Sequence, residues 1–459
     1  MHFGLETYVP PVLYAGFWLV VLLSIFWKPV TGIYYLTPII PAQTFRDELA
    51  GFPLGANVVT IVLIAVAIGL LRRGQPVFPR CGWRVPLFMY AGFTFFSLCL
   101  GSFYLDHPWP IYFSDSRFGD WRNYISMLFL LFLVAGAVNT TKQMKVVILL
   151  LCLSVLLFDK NYWGTVSDRD YSTYTDDLRD AGAMGYAGAN GLAAFEAQIA
   201  VALMALAAFE KKLSYKLGYI GLGVFSAICL LYSLSRGAYI ALLAGWVFLG
   251  LAKYRLLLVA LVVFGLTWTA VVPNAVVERV FMTEDSNGGL DHSSETRMTL
   301  WEDAMEVFSY NPVTGTGFNT YAYTQHEGNY KDTHNIYVKV LVETGIIGML
   351  LFLWLIFKTF GVGFKLFLRG EDPFHRGLGL ALACWVICSA AANFFGDRWS
   401  YLQVNGYMWI LGGLVARAWI LEQEKPAQTP ETELEPVPAE ESKVWSPAVQ
   451  GSFTRWSRI

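Results

Sequence analysis

The chain has 459 residues, of which 55% are hydrophobic and only 15% are charged, and its formal net charge is −2. Soluble globular chains carry about 25% charged residues, and an apolar excess of this size in soluble domains would leave large exposed apolar patches. The small net charge argues against a nucleic-acid-binding protein. The composition therefore excludes a soluble enzyme and a DNA-binding protein, and it indicates that much of the chain lies in lipid.

Apolar runs follow one another along the chain, and each is a candidate for the span of about 20 apolar residues that a bilayer requires. They fall at 11–27, 29–42, 57–71, 85–103, 122–139, 145–158, 184–208, 217–234, 237–252, 256–272, 335–357, 377–394 and 401–418. The second run is short and is interrupted by Pro29, Pro38 and Pro41. We therefore predict an all-α polytopic integral membrane protein with about 12–13 transmembrane helices.

The connections between the runs differ in charge, and this difference predicts their sides of the membrane. Alternate connections carry most of the Lys and Arg, which is typical of cytoplasmic loops. The opposite connections, at roughly 43–56, 104–121, 159–183, 273–334 and 395–400, are rich in Asp, Ser, Thr and Tyr and should face outwards. The cationic residues on the predicted cytoplasmic side are Lys28, Arg72, Arg73, Arg80, Arg84, Lys142, Lys145, Lys211, Lys212, Lys216, Lys253, Arg255, Lys358, Lys365, Arg369, Arg376 and Arg417.

These signals divide the chain into segments. The predicted divisions are N-terminal transmembrane helices at 1–158, an outward loop at 159–183, central helices at 184–272, a large outward loop at 273–334, C-terminal helices at 335–420 and a tail at 421–459. The tail is rich in Glu and Pro, so we expect a disordered cytoplasmic segment. Outward loops as long as the two named here are usually functional.

Within the large loop, the segment SSETRMTLWEDAMEVFSYNP predicts a short helix that ends at Asn311 and Pro312. Its apolar positions recur at helical spacing, which predicts a buried face made of Met298, Trp301, Met305 and Phe308. We expect this loop to fold over a bound substrate as a lid.

Three residues at the ends of predicted transmembrane helices are the main candidates for substrate binding and catalysis. Arg236 separates two apolar runs with no loop between them, and an arginine there costs several kcal/mol unless it is paired or reaches the interface. Arg179 precedes the glycine-rich start of run 184–208, and His334 directly precedes run 335–357. The planar guanidinium group suits recognition of a diphosphate, and a neutral histidine can accept a proton.

Each candidate also has a purely structural explanation, which the residues leave open. Arg236 could anchor its helix at the membrane interface, and His334 could be an ordinary interfacial histidine. Arg179 could form an ion pair with an aspartate of its own loop, which contains Asp176, Asp177 and Asp180.

Two acidic patterns resemble metal sites. Asp168-Arg169-Asp170 mimics an Asp-x-Asp site, but the central Arg and the Ser- and Tyr-rich surroundings favour a solvated stretch. Asp47 and Glu48 lie in the first outward loop, and they keep a metal-dependent glycosyltransferase as a weaker alternative.

Three segments resemble the O-antigen ligase/polymerase superfamily. LYSLSRGAYIALLAG resembles its Ser-Arg-Gly segment, and NPVTGTGFNTY followed by DTHNIYVKVLVETGIIGMLLF resembles its Pro-x-x-Gly-x-Gly turn and its His-Asn segment opening a membrane helix. RDAGAMGYAGANGLAAF resembles its Arg-x-x-Gly…Asn-x-x-Ala segment, although this chain has Ala-Gly-Ala-Asn190 where the family usually has Asn-Pro-Asn. Together they cover roughly residues 175–350 in the order of the family.

The resemblance implies an enzyme of the bacterial inner membrane that moves a glycan from a polyprenyl diphosphate carrier to an acceptor hydroxyl in the periplasm, as in lipopolysaccharide biosynthesis. Carried over to this chain, the two diphosphate-binding arginines are Arg179 and Arg236, and the histidine that activates the acceptor is His334. Arg297 and Tyr321 are secondary substrate-binding candidates. The reaction needs no cofactor and no metal, and a single displacement inverts the anomeric centre.

The acceptor is left open among a lipid A core sugar, the end of a growing polysaccharide and a protein hydroxyl. The partners expected are therefore the lipid-linked donor, one of these acceptors and membrane lipids, with no nucleic acid. Aromatic residues in the outward loops could stack on sugar rings or anchor the chain at the interface: these are Trp163, Tyr171, Tyr321 and Tyr323.

A transporter or flippase of lipid-linked sugars is the alternative from another class. Such a protein would place charged or polar residues deep in several spans and would show repeat symmetry. The apolar runs of this chain look almost free of mid-span charge, which favours an enzyme at the outer surface.

Overall fold

The computed structural model describes residues 8–111, 115–282, 292–323 and 332–424, with the side chains of 292–294 left aside. In these ranges the chain is all-helical and contains no strand, which confirms the predicted fold class. The α-helices are α1 (Val9–Phe26), α2 (Val30–Ile39), α3 (Gln43–Leu49), α4 (Val58–Arg72), α5 (Arg84–Tyr104), α6 (Ser116–Ala137), α7 (Thr141–Val166), α8 (Gly188–Ala207), α9 (Leu213–Tyr232), α10 (Arg236–Ala252), α11 (Arg255–Val271), α12 (Asn274–Phe281), α13 (His292–Tyr310), α14 (Ile336–Arg369), α15 (Pro373–Asn393) and α16 (Leu402–Glu424).

All thirteen apolar runs form helices, because a helix satisfies every backbone polar group within one segment of an apolar environment. The runs correspond to α1, α2, α4 to α11 and α14 to α16. Helices α12 and α13 lie in the large loop 273–334, of which residues 283–291 and 324–331 lie outside the described ranges. Most of the tail predicted at 421–459 also lies outside them, since the described chain ends with α16.

Fewer helices than expected are long and apolar enough to cross a bilayer on their own. Nine of the described helices meet this requirement, or ten if the pair α11 and α12, bent by 112°, forms one span. Helix α2 has only ten residues and contains Pro38, α10 has 17 residues, and the first half of α6 contains Asp120 and Arg122. The predicted number of 12–13 therefore matches the number of helices formed by the apolar runs. It exceeds the number of described helices that are long and apolar enough to span a bilayer, which is nine or ten.

The central helices of the bundle are buried on nearly all sides. Helices α8, α15 and α16 are buried along most of their length, whereas α11 has no buried residue. Helices α14 and α15 approach closely at Gly363 and Gly379, where a Cβ atom on Gly379 would lie 2.6 Å from the carbonyl oxygen of Gly363. Small residues permit this type of close helix packing within membranes.

In the described helices three carboxyl groups are buried, which corrects the expectation of spans almost free of charge. They are Asp159 in α7, Glu196 in α8 and Glu343 in α14, each at most 3% exposed. Ser226 Oγ donates a hydrogen bond of 2.7 Å to Asp159 Oδ2. Intramembrane carboxyl groups also occur in transporters. The charge within the helices therefore does not distinguish an enzyme from a transporter of lipid-linked sugars.

The two sets of connections predicted from charge come together separately in the structure. Residues of the predicted outward loops line the two cavities that are described in the following sections. The connections of the opposite set contact one another instead: His375 Nε2 lies 3.1 Å from Thr141 Oγ1, and Arg417 Nη2 donates to the carbonyl of Asn139 at 3.5 Å. The two sets of loops that alternate along the chain are thus also grouped separately in space: one set lines the cavities, and members of the other contact one another.

Helix α13 ends at Tyr310, as the sequence predicted, but its buried face only partly matches the prediction. Leu300 and Ala304 are buried, Trp301 and Phe308 are half-buried, and Met298 and Met305 are 48% and 42% exposed. Ala304 packs with Val342 of α14, so the contact with α14 selects the buried face. The prediction was wrong for Met298 and Met305, because apolar spacing in a short helix does not tell which side meets a neighbour.

Candidate active site

Arg236 is the first residue of α10 and follows a sharp turn. The turn is made by Leu234, which is fully buried and has a φ of 56°, a conformation that non-glycine residues adopt only where the surroundings enforce it. Arg236 Nη1 donates a hydrogen bond of 2.8 Å to the carbonyl oxygen of Met282, just after α12. The side chain therefore extends towards the large outward loop.

Arg179 is held by a side chain at the start of α8. Its Nη2 atom donates to Asn190 Oδ1 at 2.7 Å, and Ser235 Oγ donates to the same oxygen at 2.8 Å. The neighbouring Asp180 pairs with Arg169 instead, at 2.7 Å. Among the described residues Arg179 forms no ion pair with an aspartate of its loop, so the structural alternative that the sequence left open is not what is observed.

Arg179 and Arg236 line one cavity of about 330 Å³, which we call the cationic cavity. Three more arginines line it, namely Arg279, Arg297 and Arg398. None of the described lining residues is a carboxylate, and the apolar part of the wall includes Ile240 and Phe395. The cavity therefore brings five guanidinium groups together beside an apolar surface.

Two arginines of the cationic cavity were not predicted from the sequence. Arg279 lies on α12, with its guanidinium group 4.8 Å from the ring centre of Tyr174. Arg398 lies in the connection between α15 and α16 and is only 8% exposed. The signal for Arg398 was present, because it is an arginine in a short connection between two apolar runs, as Arg236 is.

His334 has a backbone conformation that the surrounding hydrogen bonds enforce. Its φ of 52° lies in the left-handed region. On one side of it, Trp301 Nε1 donates to the carbonyl of Thr333 at 2.9 Å. On the other side, Asn335 caps α14 by accepting from the backbone N–H of Tyr337 at 2.9 Å. Strained residues held in this way cluster at active sites and ligand-binding turns.

The surroundings of His334 favour its neutral form. Burial lowers the pKa of His334 below its ordinary value, the carboxylate of Asp332 raises it, and the positive charges of Arg297 and Arg398 lower it. The Nδ1 atom lies 3.6 Å from Asp332 Oδ2. The net pKa of His334 is lowered, so the imidazole is uncharged at neutral pH and can accept a proton.

Tyr321 is a core residue, which corrects its place among the candidate substrate-binding residues. It is 1% exposed and packs with Ala304 and Val342 between α13 and α14, away from the walls of the cationic cavity. It was misassigned because an aromatic residue in an outward loop was expected to be exposed.

The other aromatic and acidic candidates also lie outside the cationic cavity. Trp163 and Tyr171 both pack against Tyr232. Asp170 accepts hydrogen bonds from Ser172 within its own exposed turn, as expected for a solvated stretch. Asp47 accepts from Gln43 Nε2 at 2.6 Å and lies on α3.

Residues 221–353 match the family model of the O-antigen ligase. The matched segment contains Arg236, Arg279, Arg297 and His334, which are the residues that the fold gathers at one place. Over these residues the chain is similar to the O-antigen ligase family, which supports the resemblance to the O-antigen ligase/polymerase superfamily seen in the sequence. Members of this superfamily are glycosyltransferase-like ligases and polymerases. No curated protein matches the chain.

Arg179 lies outside the matched segment of the O-antigen ligase family model. Its hydrogen bond to Asn190, which Ser235 shares, nevertheless brings it beside Arg236. The tertiary structure thus joins the third segment of the sequence resemblance to the two segments that the family model covers.

Proposed function

We propose that this chain is an inner-membrane glycosyltransferase that moves a glycan from a polyprenyl diphosphate carrier to an acceptor hydroxyl on the periplasmic side. The observation that supports the proposal is the cationic cavity, whose described wall contains five arginines, close to a histidine whose lowered pKa favours its neutral form. A diphosphate is the group that such a wall suits best, since guanidinium groups form paired hydrogen bonds with phosphate oxygens.

In this proposal the arginines stabilise the leaving group. When the bond between the anomeric carbon and the diphosphate oxygen breaks, negative charge develops on the diphosphate, and preorganised cations lower the energy of that state. Arg179 and Arg236 are the first candidates, and Arg279, Arg297 and Arg398 add to the same field. The apolar residues Ile240 and Phe395 in the wall suit the start of a polyprenyl tail.

His334 acts as the general base in this proposal. Its neutral imidazole accepts the proton of the acceptor hydroxyl while the hydroxyl oxygen attacks the anomeric carbon. The new glycosidic bond forms as the bond to the diphosphate breaks, so the anomeric centre is inverted and polyprenyl diphosphate leaves. The arginines supply the charge stabilisation, so the proposed step requires no metal.

The proposed reaction covers more than one activity of the superfamily. An O-antigen ligase uses a lipid A core sugar as acceptor, a polymerase uses the end of a growing polysaccharide, and a protein O-oligosaccharyltransferase uses a hydroxyl of a protein. A transporter of lipid-linked sugars remains the alternative from another class, and it would form no new glycosidic bond.

The test is transfer by the purified chain in liposomes with a radiolabelled polyprenyl-diphosphate-linked glycan and an acceptor. We expect His334→Ala to lower the rate by at least about 100-fold, the usual contribution of a general base, and Arg179→Ala and Arg236→Ala to abolish transfer. The matched controls His107→Ala and Arg255→Ala replace exposed residues outside the cationic cavity and should leave the rate unchanged.

The same assay contains the outcomes that would overturn the proposal. Wild-type amounts of product from His334→Ala would exclude the general base assigned here. Movement of the donor across the membrane without any new glycosidic bond would identify a transporter. Loss of activity in excess EDTA would show that a metal takes part.

A further inference from the structure

A second and larger cavity of about 680 Å³, which we call the polar cavity, lies among the other outward segments. Its volume falls within the range of roughly 300–1,000 Å³ that is typical of ligand pockets. In contrast to the cationic cavity, the described part of its wall has both carboxyl groups, four in number, and cationic groups, three in number. These groups are Asp47, Asp120, Asp332, Asp397, Arg46, Arg122 and Lys339.

Two short segments of the chain connect the polar cavity with the proposed catalytic histidine and with the cationic cavity. Asp332 lines the polar cavity, and its carboxylate lies 3.6 Å from Nδ1 of His334. In the connection between α15 and α16, Arg398 lines the cationic cavity, while Asp397 and Tyr401 line the polar cavity. The contact with Asp332 places His334 beside the polar cavity, and Arg398, whose positive charge lowers the pKa of His334, lines the cationic cavity.

The wall of the polar cavity combines groups that suit sugar hydroxyls. Asn319 Nδ2 donates to Asp120 Oδ2 at 2.9 Å, which holds an amide and a carboxylate side by side. Carboxylate oxygens accept hydrogen bonds, and an amide both donates and accepts them, so the pair can bind adjacent hydroxyl groups. Tyr186 and Tyr401 lie edge to face with ring centres 5.6 Å apart, and they offer amphipathic rings beside these polar groups.

We propose that the polar cavity is the acceptor site and that it binds the terminal sugars of a glycan, with Asp120, Asn319 and Tyr186 in contact with them. The inference rests on the proposed function, since it takes the diphosphate of the donor to occupy the cationic cavity. Asp332 in the wall of the polar cavity lies 3.6 Å from Nδ1 of His334, so an acceptor held in this cavity lies next to the proposed general base.

The lining also favours a sugar over a protein hydroxyl. A flexible peptide that presents one serine or threonine needs an extended groove for its backbone, whereas the polar cavity places side-chain donors and acceptors around a compact volume. Repeated hydroxyl groups can use many of these positions at once, and a single side-chain hydroxyl can use few.

The first measurement is the KM for each substrate separately, with the oligosaccharide released by mild acid from the surface glycan of the producing cell as acceptor. We expect Asp120→Asn and Tyr186→Ala to raise the KM for this acceptor about tenfold, in line with the loss of a hydrogen bond or ring contact. The KM for the lipid-linked donor should not change. The matched controls are Asp106→Asn and Tyr215→Ala, which replace exposed residues outside both cavities.

The second measurement is binding of the same oligosaccharide to the detergent-solubilised chain without donor, followed by calorimetry. Asp120→Asn and Tyr186→Ala should weaken this binding, and Arg236→Ala should not. Unchanged acceptor KM and unchanged binding in both polar-cavity variants would overturn the inference. If His334→Ala still abolishes transfer in that case, the proposed function stands and only the acceptor site is wrong. Transfer to a serine-containing peptide but not to the oligosaccharide would also overturn the inference.

Discussion

Arg179 Nη2 and Asn190 Oδ1 are joined by a hydrogen bond of 2.7 Å. The same oxygen accepts from Ser235 Oγ at 2.8 Å, so one amide links the loop before α8, the first turn of α8 and the turn before α10. This arrangement keeps Arg179 beside Arg236, although the two residues are separated in sequence by two helices. The position of Arg179 in the cationic cavity thus depends on Asn190.

Replacing Asn190 should therefore weaken donor binding without removing any arginine. A hydrogen bond to a charged group contributes about 1.5–3 kcal/mol, so Asn190→Ala should raise the KM for the lipid-linked donor by roughly tenfold or more. The measurement is the donor KM in the liposome transfer assay. Asn274→Ala, an exposed residue at the start of α12, serves as the control. A donor KM equal to that of the wild type would show that Asn190 does not position Arg179.

The pH dependence of the reaction should reflect the lowered pKa of His334. A general base works in its neutral form, so activity is present above the pKa of His334 and is lost as the pH falls through it. Because burial lowers this pKa below its ordinary value of 6.5, the acid limb of kcat/KM should lie below pH 6.5. An acid limb above pH 6.5 in the wild type would contradict the assignment.

The charges around His334 should move this limb in opposite directions. Arg398 lowers the pKa of His334, so Arg398→Gln should shift the acid limb to higher pH, while Asp332 raises it, so Asp332→Asn should shift the limb to lower pH. The readout is the position of the limb and not the rate, since both residues line substrate cavities. Arg84→Gln, an exposed residue at the start of α5, should cause no shift. Shifts in the same direction for both variants would show that these charges do not act on His334.

Two glycines should be indispensable for docking the large loop on α14 and α5. Gly317 has a φ of 119°, and a Cβ atom there would lie 2.2 Å from Gly101 Cα; Gly345 has a φ of 64°, and its Cβ atom would lie 2.2 Å from the carbonyl oxygen of Val313. Left-handed backbone alone costs an alanine about 1–2 kcal/mol, and the overlap adds to it. Gly317→Ala and Gly345→Ala should each lower the Tm in detergent by several degrees.

The control for these glycines lies on α14, which also contains Gly345. Gly361 of α14 has no atom within 4 Å of an added Cβ, and Gly361→Ala should stabilise the helix by roughly 0.5–1 kcal/mol. A Tm for Gly317→Ala or Gly345→Ala equal to that of Gly361→Ala would contradict the packing described here.

Glu343 should hold the loop through its carboxylate. Its Oε2 accepts from the backbone N–H of Asn319 at 2.9 Å, and its Oε1 accepts from the backbone N–H of Tyr321 at 3.3 Å. Glu343→Ala leaves two backbone donors unpaired at about 1–3 kcal/mol each, whereas Glu343→Gln retains one acceptor and should cost less. We expect Glu343→Ala to give the fastest proteolysis of the loop and the lowest Tm, and Glu343→Gln to give a smaller change. The exposed Glu302→Ala is the control. Equal stability of all three variants would refute it.

Much of the helical architecture could be predicted from the sequence, because in lipid each apolar run must pair its backbone groups within itself. This requirement is local, so all thirteen runs became helices. Arg236 was identifiable for a related reason: a charge between two apolar runs is costly unless it has a function or a partner. Whether a run is long enough to be a full span was less predictable, as the ten-residue α2 shows.

What only the tertiary structure decided is which distant residues meet. Arg279 and Arg398 join Arg179 in one cavity although they come from α12 and from the connection between α15 and α16, because the packing of the helices and not any local pattern brings these segments together. Tyr321 and the two methionines of α13, Met298 and Met305, were misassigned for the same reason, since burial depends on the contact with α14. The sequence by itself determined the helices and predicted four residues of the candidate site, Arg179, Arg236, Arg297 and His334, and the packing of the helices determined the two cavities.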